Sequence, residues 1–546
     1  RYILHYTAPG DVVFDGFCGT GMTGVAAQLC GDRPAVEALG YRVDDDGTIH
    51  RPATGPDGKA GWEAFSRLGA RRAVLNDLSP AATFIAYNYN TPVDVAAFEG
   101  EARRILAEVE AACGWMYETR HTDGQTGTIN YTVWSDVFVC PTCAGEVVFL
   151  DEALDTVERR VKDDFNCPNC NTLLTKRSMG RMRESYFDTL LSQPHERIKR
   201  HPVLIAYQLG RERYEKKPDE NDMMVLDRID ALPLPSGFPN VAFPFDDMWE
   251  APRMRNRGIT HVHHMFLPRS AHLIDAIWRR IELVSDFRIQ QFLKFWMDQS
   301  LWGFSILNRY RLRAYSHVNQ YMSGVYYVPS QIAESNAKYN LSGKMERLPK
   351  AFSYKADSRN YGLSTNSCTS LPVADNSLDY IFIDPPFGDN FAYSELNFIV
   401  ESWLDVRTQS DPEAVVDRAK KNRSKQKGLP EYLSLMRLCL VEAHRVLKPG
   451  HWITVEFSNT SASVWNAIQT ALTEAGFIVA NVSALDKQQG SFKAVTTPTA
   501  VKQDLVISAY KPNGGFTERF AAEAETEAGV WDFVRTHLRY LPVAKE

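Results

Sequence analysis

Cysteine is scarce, with nine in 546 residues, too few for the disulfide framework of a small secreted scaffold. No apolar run approaches the length needed to cross a bilayer, and nothing among the first residues has the layout of a secretory signal. No internal repeat and no low-complexity tract interrupts the chain. Charge of one sign is lacking too: 61 Lys and Arg stand against 67 Asp and Glu, a formal net charge of -6. No global field therefore favours a polyanion, and any basic surface must be local. These absences set aside secreted disulfide proteins, membrane proteins, repeat solenoids and highly basic coat proteins. With 44% hydrophobic and 23% charged residues, the remaining class is a cytoplasmic globular protein without membrane association. Its length suits roughly two to four domains.

The stretch "DVVFDGFCGTGMTG", residues 11–24, runs a hydrophobic strand into a glycine turn, followed by the small apolar residues of a helix. A polar segment, "VDDDGTIHRPATGPDGKAG", reads as a surface insertion. "RRAVLND" is a second strand ending at Asp77, with "SPAATFIAYNYN" as its helix. Strand, helix, strand, helix opens a parallel α/β sheet. The pattern stops between about 96 and 350 and resumes with "SLDYIFIDPPFGDN", "VEAHRVLKPGHWITVEFSN" and a last strand "DLVISAYK". A sheet domain is thus expected in two halves, 1–95 and 351–546, around a large insert. The insert is read as a connecting helical segment at 96–132, a cysteine-bearing β segment at 133–178 and a helical region at 179–350. The aromatic stretch "FLKFWMDQSLWGF" has helical spacing and reads as core.

The turn contains Gly19-x-Gly21-x-x-Gly24, literally a dinucleotide fingerprint. That fingerprint wants an acid about 20 residues further on. The strand-end acid here, Asp77, lies well beyond that. A second motif follows the strand "YIFI": Asp384-Pro385-Pro386-Phe387. Two prolines fix their own φ and restrict the residue before them, so the loop holds a carboxylate, a carbonyl and an aromatic face in fixed relation. A hydride-transfer enzyme has no use for this arrangement. An enzyme alkylating an exocyclic base nitrogen does, because that lone pair is delocalised into the ring. If Asp384 and the Pro385 carbonyl accept its two N–H bonds, the nitrogen is drawn toward tetrahedral geometry, and Phe387 can stack on the base.

With these residues the chain resembles a known family. "PGDVVFDGFCGTGMTG" resembles motif I of S-adenosylmethionine-dependent amino-methyltransferases, and "DPPFGDN" resembles their motif IV. "FAYSELNFIVESWL" further resembles bacterial adenine-specific DNA methylases that carry a zinc ribbon. The resemblance implies a Rossmann-like class I methyltransferase sheet, S-adenosylmethionine as cofactor, and transfer to adenine N6 of DNA. It implies that Asp15, Gly19 and Gly21 line the methionine end of the cofactor, that Asp77 binds its ribose, and that Phe17 and Thr23 complete the set. It also suggests restriction-modification or phage defence, with other subunits of such a system as partners. Cytosine N4 methylation, RNA amino-methylation and an inactive nucleic-acid-binding regulator are the alternatives. Motif I departs from the usual "DPF" in having Gly16. Only about ten residues precede it, where many relatives carry another cofactor-contacting motif; the resemblance leads to the expectation of a fragment, or of that segment being supplied from elsewhere.

Cys140-x-x-Cys143 and Cys167-x-x-Cys170 are two knuckles with the spacing of a zinc ribbon. Cys18, Cys30, Cys113, Cys368 and Cys439 read as structural thiols. "HVHH" at His261, His263 and His264 has no neighbouring acid or cysteine and reads as a polar stretch of the surface. Three basic runs are candidate nucleic-acid contacts: Lys176, Arg177 and Arg181; Arg309 and Arg311; and Lys420, Lys421 and Arg423. The first follows the cysteine knuckles, and the last follows the Asp384 loop, where it could close over a bound strand.

Overall fold

The computed structural model describes all residues except 55–57, 156–157, 159, 247, 249–250, 313–325, 353–356, 389–391, 417–426, 458–461, 486–503, 514–530 and 532–546. Its main sheet has seven strands: β1 (Val12–Asp15), β2 (Arg72–Asp77), β3 (Tyr361–Thr365), β4 (Leu378–Ile383), β5 (Leu447–Phe457), β6 (Ile478–Leu485) and β7 (Asp504–Tyr510). Their spatial order is β3-β2-β1-β4-β5-β7-β6. The first five pair in parallel, and β7 runs antiparallel between β5 and β6.

The hydrophobic runs explain why these segments form inner strands. A parallel strand covered on both faces needs apolar residues at consecutive positions. Val13 packs with Ala27, Leu75 and Ala86 on one face, while Phe14 packs with Ile381, Met436, Leu440 and Ile453 on the other. The first face is covered by α1 (Met22–Leu29) and α2 (Pro80–Asn90), and the second by α3 (Leu429–Val446) and α4 (Ala462–Glu474). Ser79 caps α2, its hydroxyl accepting the Ala82 N–H at 3.3 Å, with Pro80 in the first turn. The polar insertion folds as a small antiparallel sheet, Arg42–Val43, Thr48–Thr54 and Ala60–Arg67.

The long insert is built on one strand, Thr126–Val139, which pairs with Glu118–Arg120, Glu146–Val148, Gly180–Arg181, Arg200–Leu209 and Gln331–Ser335. A separate hairpin joins Arg183–Asp188 to Gln193–Ile198. The expectation of a helical region at 179–350 is therefore corrected for its first part, which is β up to Lys216. Exposure alternates along "RESYFD" and through most of "ERYEK", as in strands with one solvated face, but charge falls on both faces and hides that alternation in the sequence. Helices occupy Pro268–Glu282, Phe287–Phe304 and Ala337–Ala351. Phe292, Phe295, Trp296 and Leu301 are buried as the helical spacing requires. They share one core with Phe398 and Trp403 from the helix Phe398–Leu404 beyond the Asp384 loop.

The register of the central strands is held by Asp379. Its carboxylate accepts the Val12 N–H at 2.9 Å and pairs with Lys448 Nζ at 2.5 Å. Asp379→Ala is expected to cost about 1–3 kcal/mol, the usual penalty for a polar group left without its partner. A lowered urea midpoint with unchanged slope would register it; an unchanged midpoint would show that the bond adds nothing.

Candidate active site at the carboxyl edge of the sheet

The sheet order reverses at β1: the chain passes to β2 and β3 on one side and returns to β4 and β5 on the other. In open α/β sheets the crevice at such a point, outside the carboxyl ends of the strands, is where ligands bind. Asp15 ends β1, Asp77 ends β2 and Asp384 follows β4, so three acids from distant segments reach one edge.

The glycine turn is fastened to two of them. Asp15 is 5% exposed; one carboxylate oxygen accepts the Phe17 N–H at 3.1 Å and the other the Thr23 hydroxyl at 2.5 Å. Asp77 accepts the Gly19 N–H at 2.8 Å and the Ser79 N–H at 2.9 Å. Burial raises Asp15 to about 7 against the two hydrogen bonds that lower it, and the charge of Asp77 adds to the rise. Burial likewise raises Asp77.

The three glycines do different work. Gly19 has φ +49° and open space where a side chain would stand. At Gly21, with φ +77°, a Cβ would lie 2.7 Å from that of Ala86; at Gly24 it would lie 2.3 Å from Asn90 Oδ1. Gly21 and Gly24 therefore let α2 approach the turn, and Gly19 leaves the crevice open.

Asp384 is exposed, and Pro385 is buried beneath it. The Tyr432 hydroxyl donates to the Pro386 carbonyl at 2.7 Å, and Val416 N–H to the Gly388 carbonyl at 3.1 Å. The ring of Phe387 meets Phe457 edge-on at 5.4 Å. This half-buried contact makes Phe387 part of the loop's footing. Tyr393, which the sequence reading did not single out, is an exposed aromatic residue. Desolvation of its hydroxyl, followed by the charges of Asp384 and Asp77, pushes it above its ordinary value. One side chain thus lies within electrostatic reach of both the β2 acid and the loop acid.

Beyond the loop, the buried Glu401 accepts the Ser79 hydroxyl at 2.8 Å and the Thr408 N–H at 2.8 Å, and Asn397 donates to Ser79 at 2.8 Å. The helix after the loop is thereby tied to the start of α2. Nothing local in the sequence announces this link, because Ser79 and Glu401 stand 322 positions apart.

The four knuckle cysteines converge. Cys140 and Cys170 sulfurs lie 3.7 Å apart, those of Cys143 and Cys167 3.8 Å, and all four fall within 4.8 Å of one another. Tetrahedral thiolates at about 2.3 Å from a central ion stand about 3.8 Å apart. Left-handed Ala144 and Asn171, at φ 59° and 62°, close two equivalent turns, and their N–H groups return to the Cys140 and Cys167 carbonyls at 2.9 Å. The donor set fits a four-coordinate metal.

The histidine cluster differs from its expected surface role. The side chains of His263 and His264 are buried, and both direct Nε2 to Asp188 Oδ2 at 2.8 Å. His264 Nδ1 accepts the Thr260 N–H at 3.1 Å and the His261 N–H at 3.3 Å, which places its proton on Nε2 and leaves no lone pair there for a metal. Burial holds His264 down to about 3. The group is a hydrogen-bonded fastening between the hairpin and the helical layer.

Of the basic residues, Lys176 sits over the Phe149 ring at 4.7 Å, and Arg181 pairs with the buried Asp136 at 3.0 Å. Burial and then the charges of Arg181, Arg257 and Arg309 lower Lys176, so these cations form one cluster. Arg177 and Arg311 are exposed. Lys420, Lys421 and Arg423 lie outside the described residues.

No protein-family profile and no curated protein matches the chain. Among solved structures it is similar to a Thermus thermophilus protein provisionally named a DNA modification methylase, at 13% identity and a TM-score of 0.16, over 26% of this chain and 48% of that one. It is also similar to a SAM-dependent methyltransferase from Methanosarcina mazei, at 13% identity and a TM-score of 0.17, over 33% and 79%. The antibiotic-resistance methyltransferase Kmr is 12% identical, with a TM-score of 0.17, over 33% and 74%. The chain spans about half the length of the Thermus protein.

The raised Asp15 sets a sign for stability against pH. Folding strengthens its hold on a proton, so its contribution falls as pH rises from about 4 to about 7. Asp15→Asn is expected to remove that fall. Urea denaturation of both proteins at pH 5 and pH 8 should show the stability gap shifting toward the variant at the higher pH; a constant gap would reject the assignment.

Proposed function

We propose that the chain is an S-adenosylmethionine-dependent methyltransferase acting on an exocyclic amino group of a nucleic-acid base, with adenine N6 of DNA as the preferred target. One observation carries the reading: an exposed carboxylate on a proline-stiffened loop stands at the same sheet edge as the buried Asp15 and the half-buried Asp77, whose turn is open at Gly19.

The cofactor, when bound, supplies a methyl group on a positively charged sulfur. Asp15 and the turn around Gly19 would hold its cationic methionine end, and Asp77 would accept hydrogen bonds from its ribose. Two acids shielded from water, Asp15 buried and Asp77 half-buried, suit a cation and disfavour a diphosphate, so the residues fit the group. Asp384 would accept one N–H of the target nitrogen and the Pro385 carbonyl the other, leaving the lone pair free to face the methyl. Tyr432 and Val416 hold the loop before the base arrives, and such positioning contributes roughly 7–11 kcal/mol for well-oriented reactants. Phe387, footed edge-on against Phe457, would stack on the base, with the exposed Tyr393 ring beside it. No cysteine is needed as a nucleophile. A base in a duplex would have to leave the stack, generally at a cost of a few kcal/mol.

In the same reading the four cysteines hold a structural zinc, the insert recognises the target, and the protein works in the cytoplasm with DNA, alone or with other subunits of a restriction or defence system.

Incubation of DNA with isotopically labelled S-adenosylmethionine, followed by nucleoside mass spectrometry, is expected to give labelled N6-methyladenine. Asp384→Ala should abolish the label while calorimetry still detects cofactor binding. Label on cytosine would change the base, label on RNA alone would change the polymer, and full turnover by the variant would remove Asp384 from the chemistry. Cys140→Ser is expected to lose the metal and lower the melting temperature; one zinc per chain by elemental analysis of that variant would refute the metal assignment.

A further inference from the structure

The insert carries a groove of about 450 Å³ lined by Arg181, Arg183, Arg253, Arg257, Tyr326 and Tyr327, with no acid among the described residues of its wall. Arg181 and Arg183 come from the strand side, and Arg253 and Arg257 from the helix Ala251–Arg255 and the turn after it. Beneath them lies one buried counter-charge, Asp136, which Arg181, Arg200 and Arg257 approach at 3.0, 3.4 and 3.4 Å. One carboxylate faces three guanidinium groups. Arg183 leans on the Asn256 carbonyl and stands 3.6 Å from an exposed Glu196 carboxylate. Burial and then the charges of Arg181 and Arg200 hold Arg257 down to about 10, as expected of a cation crowded by others. In a chain whose net charge is -6, so concentrated a positive surface is a local device.

We infer that this groove takes the phosphodiester backbone of the nucleic-acid strand whose base is modified. The inference rests on the proposed function for the identity of the polyanion, while the excess of positive charge stands independently. The cations come from two facing walls, and Arg181 and Arg257 are already braced on Asp136, so they do not close around a single centre. That arrangement suits a chain with repeated charge better than a lone phosphate. Arginine is the residue for the task, since its planar fork matches phosphate oxygens in pairs. The groove is also joined to the site: the Tyr326 hydroxyl donates to the Glu395 carbonyl, in the short helix Tyr393–Leu396 that carries Tyr393. A strand lying on the arginines is thereby presented to the Asp384 loop.

The test replaces Arg183 and Arg253, both exposed and neither among the three arginines gathered at Asp136. The double variant R183E/R253E and the charge-keeping R183K/R253K are compared with the parent. Binding of a fluorescein-labelled DNA duplex is read by anisotropy across a potassium chloride series. The glutamate variant is expected to bind at least about tenfold more weakly, with a salt slope flatter by about 2, while the lysine variant keeps most of the affinity. Unchanged affinity and slope in the glutamate variant would overturn the groove, as would equal loss in both variants. Full displacement of the duplex by polyglutamate at matched charge would also overturn it, assigning the groove to acidic proteins. Calorimetry with S-adenosylmethionine on the same proteins keeps the two readings apart: cofactor binding with an unaltered salt slope would sink the groove alone, whereas a lost slope without cofactor binding would sink the methyltransferase reading alone.

Discussion

The parallel pairing of β1 with β4 is the constraint on which the site depends. Val12 and Asp379 meet in one hydrogen bond although 367 positions separate them. Without that pairing, Asp15 and Asp384 would belong to different regions of the molecule. Register here is exacting, because both faces of the strands are buried. A slip of one residue would exchange the faces of Val13 and Phe14, moving a phenylalanine into a layer shaped for valine and alanine. The insert is consequently looped out of the sheet and returns the chain to β3 before β4 can enter beside β1.

Rigidity accompanies that placement. The turn after β1 spends its N–H groups on Asp15 and Asp77, and the loop after β4 is braced by Tyr432 and Phe457. Glu401 then ties the following helix to α2 through Ser79. That helix also buries Phe398 and Trp403 among the aromatic residues of the insert. The insert's core and the segment behind the loop are thus one packed body, and packed bodies transmit displacement because they contain little void to absorb it. A displacement of the insert's core would therefore reach the segment behind the loop.

The sequence disclosed what is local and hid what is assembled from afar. A hydrophobic run ahead of a glycine turn, an acid before two prolines, and paired Cys-x-x-Cys knuckles each state their geometry within a few residues. The strands between 180 and 216 were illegible because charged residues stand on both faces, Glu184 and Asp188 inward as well as Arg183 outward, so that no apolar alternation stands out. The histidines showed no acid beside them because Asp188 lies 75 positions away. The arginine groove was half visible: Arg181 belonged to a conspicuous basic run, and Arg253 and Arg257 to the run "RMRNR", but only folding brings that run across from the strands. Tyr393 likewise gains meaning only from two acids whose nearness is tertiary.

The glycine turn shows why a motif must be read with its charges. A Gly-x-Gly-x-x-Gly turn holds a diphosphate by offering unpaired N–H groups at a helix start. In this chain the N–H groups of Phe17 and Gly19 already point to carboxylates. A diphosphate there would lose those donors and meet the buried Asp15 and the half-buried Asp77, in surroundings where charges interact more strongly than in water. The third glycine keeps the packing role it has in a dinucleotide site, since a Cβ at Gly24 would strike Asn90 and Leu75. The spacing of the glycines therefore follows from the close approach of α1, α2 and β2, which many ligands can share. What such a turn accepts depends as much on the acids behind it, here Asp15 and Asp77. On the proposed reading, a cation at that end with hydroxyl donors nearby would satisfy both acids, and that combination would separate a sulfonium nucleoside from a dinucleotide on the same turn.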